Sequence, residues 1–364
     1  MSEANNTPPT NRGVTHTRGK NEPELRILVD WLQITVKDHF SPEVICEDLL
    51  CIPFTLMKDD LDPGIKNYRA LYRFDNIRLL KASGKNAKNG YQIILSGTGC
   101  RNYESILQAN KETWFDLFGR IIEFEANVPR LDLAIDDFKT YFRVGKLIRL
   151  SKAGRVVTDL KKGSDVGGFS LKDGSKMGDT LYLGSRSSLV FFRFYEKNYE
   201  QASEFQLDKK EMIPKWNRYE VELKQKKAMK VIRELLEKGS LDDVVKGIFK
   251  GYMRFVNENP EDSNKWRWKT WEPWEWFLKD VEEIDLSIEA KEVALEDFFG
   301  WLHKSIAPSL KVVSEIDKLL GTNYLESLVN EAELKKKHYS MIERFSSQLE
   351  REAYFEEQRL VGEA

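Results

Sequence analysis

The sequence predicts an α+β fold: a core built on a mixed or antiparallel β-sheet, flanking helices, and a helical C-terminal part. Two patterns predict it. Apolar and polar residues alternate with period two over 31–36, 68–74, 77–82 and 130–136, and a run rich in Val, Phe and Tyr covers 189–195. Such alternation gives strands with one buried face. Apolar positions three and four apart recur over 144–153 and 226–238, which gives helices with one buried stripe. With 364 residues, 41% of them hydrophobic, the chain can bury one elaborate core or two.

The elements follow in order. Residues 1–22 are rich in Asn, Thr, Pro and Gly, with Arg12, Arg18 and Lys20 scattered through them, and read as a disordered arm. In the first strand Trp31, Gln33 and Thr35 alternate against Leu32, Ile34 and Val36. Ser41 reads as an N-cap before Pro42 and Glu43, opening a helix to about Leu50. After the strands at 68–74 and 77–82, Gly90 introduces a third, YQIIL, closed by Gly97 and Gly99. A helix is expected over 104–118, with 121–125 extending it. Pro129 breaks the chain before the strand RLDLAID, and a helix follows from Val144 to Ala153. The segment 161–179, rich in Gly, Lys and Asp, reads as a loop. Strands are expected over 189–195 and 216–224, a helix over 226–238, and another, capped by Ser240, from 241 to about 257. Polar, basic residues fill 258–270, and Trp271, Trp274 and Trp276 cluster around Pro273. Helices are expected over 287–304 and 310–328. The charged tail 331–358 places Leu334, Met341, Phe345 and Leu349 at near-heptad spacing, a helix that projects or packs on a second subunit.

Composition narrows the function. Charged residues make up 32% of the chain, yet the net charge is −2, so any surface for nucleic acid must be local. Cys46, Cys51 and Cys100 form no CxxC and read as buried, reduced thiols. Neither an apolar run of about 18 residues nor a signal-peptide core is present, so a soluble, cytoplasmic protein is expected. The histidines, His16, His39, His303 and His338, form no close pair. Helix-turn-helix, zinc-finger, Walker A, GxSxG and GxGxxG patterns are all missing, which removes the corresponding ATPase, hydrolase and dehydrogenase readings.

The chemistry concentrates on three strands. On a strand at 189–195, Phe192 and Phe194 share one face while Arg193, Tyr195 and Lys197 share the other. A phenol flanked by two cations suits a phosphodiester; by composition alone a plain strand tyrosine is the weightier alternative. In RLDLAID, Arg130, Asp132 and Asp136 face one way and Leu131, Leu133 and Ile135 the other. In RYEVELK, Arg218, Glu220, Glu222 and Lys224 oppose Tyr219, Val221 and Leu223. Either strand alone fits a solvated face. As neighbours, they would converge carboxylates of the kind that hold Mg²⁺ or Mn²⁺.

The segments YLGSRSS and FFRFYEKNYEQ, with DWLQITV, LSGTGCR, RLDLAIDD and RYEVELK, make the chain resemble the Rep_trans family of rolling-circle plasmid replication initiators over roughly residues 25–320. That resemblance implies a nickase that binds a double-strand origin. Tyr195 would attack the scissile phosphate and stay joined to its 5′ side. Asp132 and Glu220, then Asp136, would hold Mg²⁺ or Mn²⁺, with Glu222 and Glu196 as outer candidates. Arg193, Lys197 and Arg218 would neutralise developing charge. It further implies a homodimer and recruitment of a host DNA helicase. The expected organisation is an arm at 1–22, a nicking core at 23–238, an origin-recognition region at 239–328 and a C-terminal helix at 329–364. Within the third region Lys265, Arg267 and Lys269 alternate with Trp266 and Trp268 and are the candidate DNA readers. A conjugative relaxase and a non-catalytic DNA-binding relative are the alternatives.

Overall fold

A computed structural model describes residues 24–65, 67–204, 215–278, 281–284, 286 and 306–333. The expected arm at 1–22, the helix at 287–304 and the tail beyond residue 333 lie outside the described residues. The chain divides into two compact units, Met1–Leu286 and Ser287–Ala364.

The first unit is built on a ten-stranded sheet. Its strands are β1 (Leu25–Val36), β2 (Lys58–Asp59), β3 (Tyr68–Phe74), β4 (Ile77–Ala82), β5 (Tyr91–Leu95), β6 (Asn127–Asp137), β8 (Gly163–Phe169), β9 (Lys176–Leu183), β10 (Val190–Glu196) and β11 (Asn217–Lys224), and β7 (Val156–Val157) pairs separately with β12 (Arg254–Phe255). The order across the sheet is β2-β3-β4-β5-β1-β6-β11-β10-β9-β8. Every pairing is antiparallel, which settles the mixed-or-antiparallel expectation. The strands β1, β6, β11 and β10 form the centre.

One face of the sheet is the core. Leu131, Leu133 and Ile135 of β6, Tyr219, Val221 and Leu223 of β11, and Phe192 and Phe194 of β10 join one apolar cluster. The cluster takes in buried residues of α2 (Gly97–Ala109), α3 (Trp114–Glu123), α4 (Val144–Lys152), α6 (Lys226–Lys238), α7 (Leu241–Tyr252) and α8 (Glu272–Leu278). Phe194 lies 5.4 Å from Tyr219 and 5.7 Å from Phe249, ring to ring. Burying a side chain of that size stabilises by about 1.5–3 kcal/mol, so the core face fixes the register of these strands, and the register fixes what the other face presents.

Several local expectations hold and several are corrected. Ser41 caps α1 (Pro42–Val44), which continues as a wider turn over Ile45–Leu49, and the Ser240 side chain caps α7. The single helix expected at 104–118 is two: the chain turns at Lys111, in the left-handed region at φ 58°, and Thr113 with Asp116 caps α3 anew. The expected loop at 161–179 contains β8 and the start of β9, because cross-strand pairing overrides the weak strand propensity of its glycines. The helix from 241 ends at Tyr252; Met253 turns extended and β12 pairs with β7.

The boundary expected at 238/239 falls between the end of α6 and the start of α7. Gly247 and Gly251 of α7 lie against the chain at 282–284, where an added Cβ would sit 2.7 Å from the Glu282 carbonyl and 2.5 Å from that of Ile284. Ile284 donates its N–H to the Gly247 carbonyl at 3.0 Å. Side-chain-free positions let this segment close onto the helix, so 239–286 belongs to the first unit. In the second unit, the helix expected over 310–328 is divided at Gly321 into Ala307–Leu320 and Tyr324–Asn330.

Candidate active site on the charged face of the sheet

Opposite the core, β10, β11, β6 and β1 lay a polar row across the sheet. Tyr195 pairs with Arg218, and Arg218 with Asp136; Arg193 pairs with Glu220, and Glu222 with Asp132. The strict alternation read in the sequence is thereby realised, and three strands far apart in the chain present their charges together.

The Tyr195 hydroxyl donates to Glu220 Oε1 at 2.6 Å. Arg193 binds the other oxygen of Glu220, with Nε at 2.8 Å, and its guanidinium lies 4.9 Å from the centre of the Tyr195 ring. Tyr195 is 6% exposed and Glu220 3%. Burial and the Glu220 charge raise the phenol well above its usual range, against Arg218 and Arg193, which pull it down. Burial likewise raises the Glu220 carboxyl. Tyr195 therefore waits as a neutral phenol with a carboxylate against its proton.

Arg218 is fully desolvated and is held on two sides, by Asp136 (Nε to Oδ1, 2.6 Å) and Asp30 (2.8 Å). Asp136 is 0% exposed, and both its oxygens take guanidinium N–H groups from Arg218 and Arg26. Although burial pushes its carboxyl up, the arginines prevail and hold it below the ordinary carboxylate range. Asp132 differs. Burial raises it to about 7 against the pull of Arg130, with Glu222 and Glu220 adding to the rise. Arg130 grips both Asp132 oxygens, at 2.9 and 2.6 Å, and stacks over Trp31.

Asp132 and Glu220 are buried oxygen donors of the kind a hard cation takes, and would bind one on releasing Arg130 and Arg193, which hold them here. Asp136 suits one less, being fully buried with its oxygens shared between two arginines. Among the described residues no group of three or more His, Cys, Asp or Glu converges as a metal site. Glu222 stays near Asp132 through Arg130, at 3.3 Å, and Lys224, at 2.6 Å. Glu196 is turned elsewhere, bonded by Lys176 and by the Asp179 N–H.

Replication initiation factors of the Rep_trans family match residues 126–329. The chain belongs to that family. A second match, to the rolling-circle replication initiation protein N-terminal domain, covers residues 26–120 of this Rep_trans protein. It is 35% identical, over 94% of its length and 97% of the relative's, to "Putative DNA relaxase NicK" of Bacillus subtilis (strain 168). It is similar in structure to a rolling-circle replication initiator protein from Geobacillus stearothermophilus, with a TM-score of 0.60 and 29% identity, covering 72% of this chain and all of that one.

The structure brings Tyr195, Arg193, Arg218, Glu220, Asp132 and Asp136 of this Rep_trans protein onto one face. Lys197 is the first residue of α5 (Lys197–Glu204), beyond the end of β10, and pairs with Glu200; its ammonium still reaches 5.6 Å from the Tyr195 ring. Residues 264–271 form no strand: Lys265–Arg267 is one 3₁₀ turn. Lys265 donates to the Val156 carbonyl, Arg267 pairs with Asp262, and Lys269 lies 3.7 Å from Glu272. Trp266 is 57% exposed.

Asp30 and Arg26 were not foreseen. Alternation along β1 assigns Asp30 to the core set with Leu32 and Ile34, but the register shifts between Val29 and Trp31, and the bulge turns Asp30 to Arg218. The signal available in the sequence was the carboxylate itself, out of place in an otherwise apolar set.

Proposed function

We propose that this chain is a site-specific DNA nickase and strand transferase that initiates rolling-circle replication of a plasmid. The observation that carries the reading is the Tyr195–Glu220 hydrogen bond beneath Arg193: a nucleophile, a proton acceptor and a cation on adjacent strands. Tyr195 Oη attacks the scissile phosphorus while Glu220 takes its proton. The bond to the 3′ oxygen breaks, that oxygen takes a proton from the medium, and the 5′ phosphate remains on the tyrosine. Arg193 exchanges its carboxylate partner for the phosphate, and the fixed guanidinium of Arg218 opposes the growing charge. The covalent link preserves the bond energy needed to rejoin the strand later.

Mg²⁺ or Mn²⁺ held by Asp132 and Glu220 would supply positive charge at a non-bridging phosphate oxygen. Recognition of the double-strand origin by residues 239–328 is part of the proposal, as are a homodimer, a host DNA helicase as partner, and a cytoplasmic location. Among the described residues no helix is long and apolar enough to cross a membrane. The relative named as a DNA relaxase, matched over 94% of this chain, supports a second reading, nicking at a transfer origin.

The test is incubation with supercoiled plasmid bearing either the replication origin or the transfer origin, with Mg²⁺. A nicked circle carrying bound protein is expected; intact plasmid in every case would reject the nickase reading.

A further inference from the structure

The hairpin turn between β9 and β10 carries the motif GSRSS, which the nicking chemistry leaves unused. Gly184 sits at φ 98°, where an added Cβ would meet the Val190 carbonyl at 3.1 Å, so the turn closes tightly. Ser188 donates its N–H to the Ser185 carbonyl, and Lys224 donates to the Arg186 carbonyl at 2.5 Å. The turn is thus tied to β11 beside the site.

Its arginine folds back over the charged face of the sheet. Tyr182 and Phe191 stack there with centroids 5.6 Å apart and planes at 17°, and the Arg186 guanidinium lies 5.5 Å from each ring. Phe191 is buried, Tyr182 half-buried and Arg186 exposed, its guanidinium equally distant from the two rings. Tyr182 pairs directly with Arg193, and Phe191 with Glu222. Neighbouring strands are about 4.8 Å apart, so this stack adjoins the Tyr195–Glu220 pair on the same face.

We propose that Arg186, Tyr182 and Phe191 form a stacking site for one unpaired nucleobase of the strand whose phosphate meets Tyr195. An exposed guanidinium plane backed by two parallel rings presents a π surface to solvent, and every base has a matching π face once it leaves the duplex. A base paired in a duplex has its faces covered by its neighbours, so the site takes single-stranded DNA. Its position beside the nucleophile sets the scissile phosphate in register with Tyr195. The proposal rests on the nickase reading for its strand but not for its test.

The experiment measures anisotropy of a fluorescein-labelled, mixed-sequence single-stranded 20-mer and the matching duplex. The full chain is compared with Tyr182→Phe, Tyr182→Leu, Arg186→Lys and Arg186→Ala, each checked for folding by circular dichroism. Fluorescence of 2-aminopurine, scanned through the 20-mer, reports stacking directly. Tyr182→Phe keeps the ring and is expected to bind as wild type. Tyr182→Leu, Arg186→Ala and Arg186→Lys are expected to weaken single-strand binding about 5- to 150-fold, the span of one base–aromatic stack, with smaller change on the duplex and loss of 2-aminopurine quenching. Wild-type affinity and quenching in folded Tyr182→Leu would overturn the proposal. So would full binding by Arg186→Lys, since a charge alone would then suffice. Should plasmid nicking fail while the stacking signal persists, the nickase reading falls and this site stands; nicking with no stacking signal gives the reverse.

Discussion

Glu220 holds Tyr195 and Arg193 at once, one carboxylate oxygen to each. A single side chain on β11 therefore fixes both the phenol proposed to attack and the nearest cation on β10. Substrate phosphate can claim the arginine without disturbing the bond to the phenol.

Tyr195→Phe should abolish the covalent protein–DNA adduct while leaving origin affinity within about twofold, because the ring and its packing remain. The check is denaturing gel analysis of a labelled nick-site oligonucleotide beside a binding titration. Tyr199, on α5 and packed over Gly178, is the alternative nucleophile, and adduct formation by Tyr195→Phe at the wild-type rate would point to it.

Glu220→Gln should lower the single-turnover nicking rate by about 10²–10⁴, the usual worth of a general base. If Glu220 acts chiefly on the proton, raising Mg²⁺ will not restore the rate. Asp132→Asn should instead shift the Mg²⁺ or Mn²⁺ concentration needed for half-maximal nicking upward, and chelation by EDTA should stop nicking. A Mg²⁺ titration of both variants separates the two roles.

Asp132 also makes a prediction about pH. Its folded-state carboxyl titrates near 7, above an ordinary value of 3.8. An acid raised on folding weakens the native state as pH climbs: the unfolded chain releases its proton first, and the penalty accumulates from about pH 4 until the folded group ionises near 7. In EDTA, the Tm of Asp132→Asn relative to wild type should therefore rise between about pH 4 and about pH 7 and then level off. A difference independent of pH would show that Asp132 is ionised throughout.

Arg218→Met should destabilise by about 3–5 kcal/mol, since it strips a partner from the buried Asp136 and from Asp30 at once. Chemical denaturation measures it. Recovery on adding Asp136→Asn to the variant would identify the unpaired carboxylate as the cause.

Arg267→Ala and Lys269→Ala should reduce discrimination between the cognate and a scrambled origin, measured across a salt series, if these cations read bases. Arg267 must first release Asp262, so Asp262→Ala should strengthen binding to both duplexes. Lys265→Ala should act on stability instead, its ammonium being bonded to the protein backbone. Equal losses on the two duplexes would assign the stretch to phosphate contact.

Alternation by itself determined which side chains of β6, β10 and β11 share a face, because a strand has no other way to dispose of Leu131, Leu133 and Ile135 than to bury them together. It therefore placed Tyr195 with Arg193, Asp132 with Asp136, and Arg218 with Glu220, before any pairing was known. It left undecided which strands are neighbours, and hence that Glu220 meets Tyr195 and that Asp136 belongs to arginines. Those contacts join residues 25 and 82 positions apart, and register between distant strands is set by packing against α6, α7 and α8 rather than by local pattern. The bulge that delivers Asp30 and the strand β8 were decided at the same level: each is locally unfavourable, and each exists because the assembled sheet supplies the hydrogen bonds that the local sequence does not.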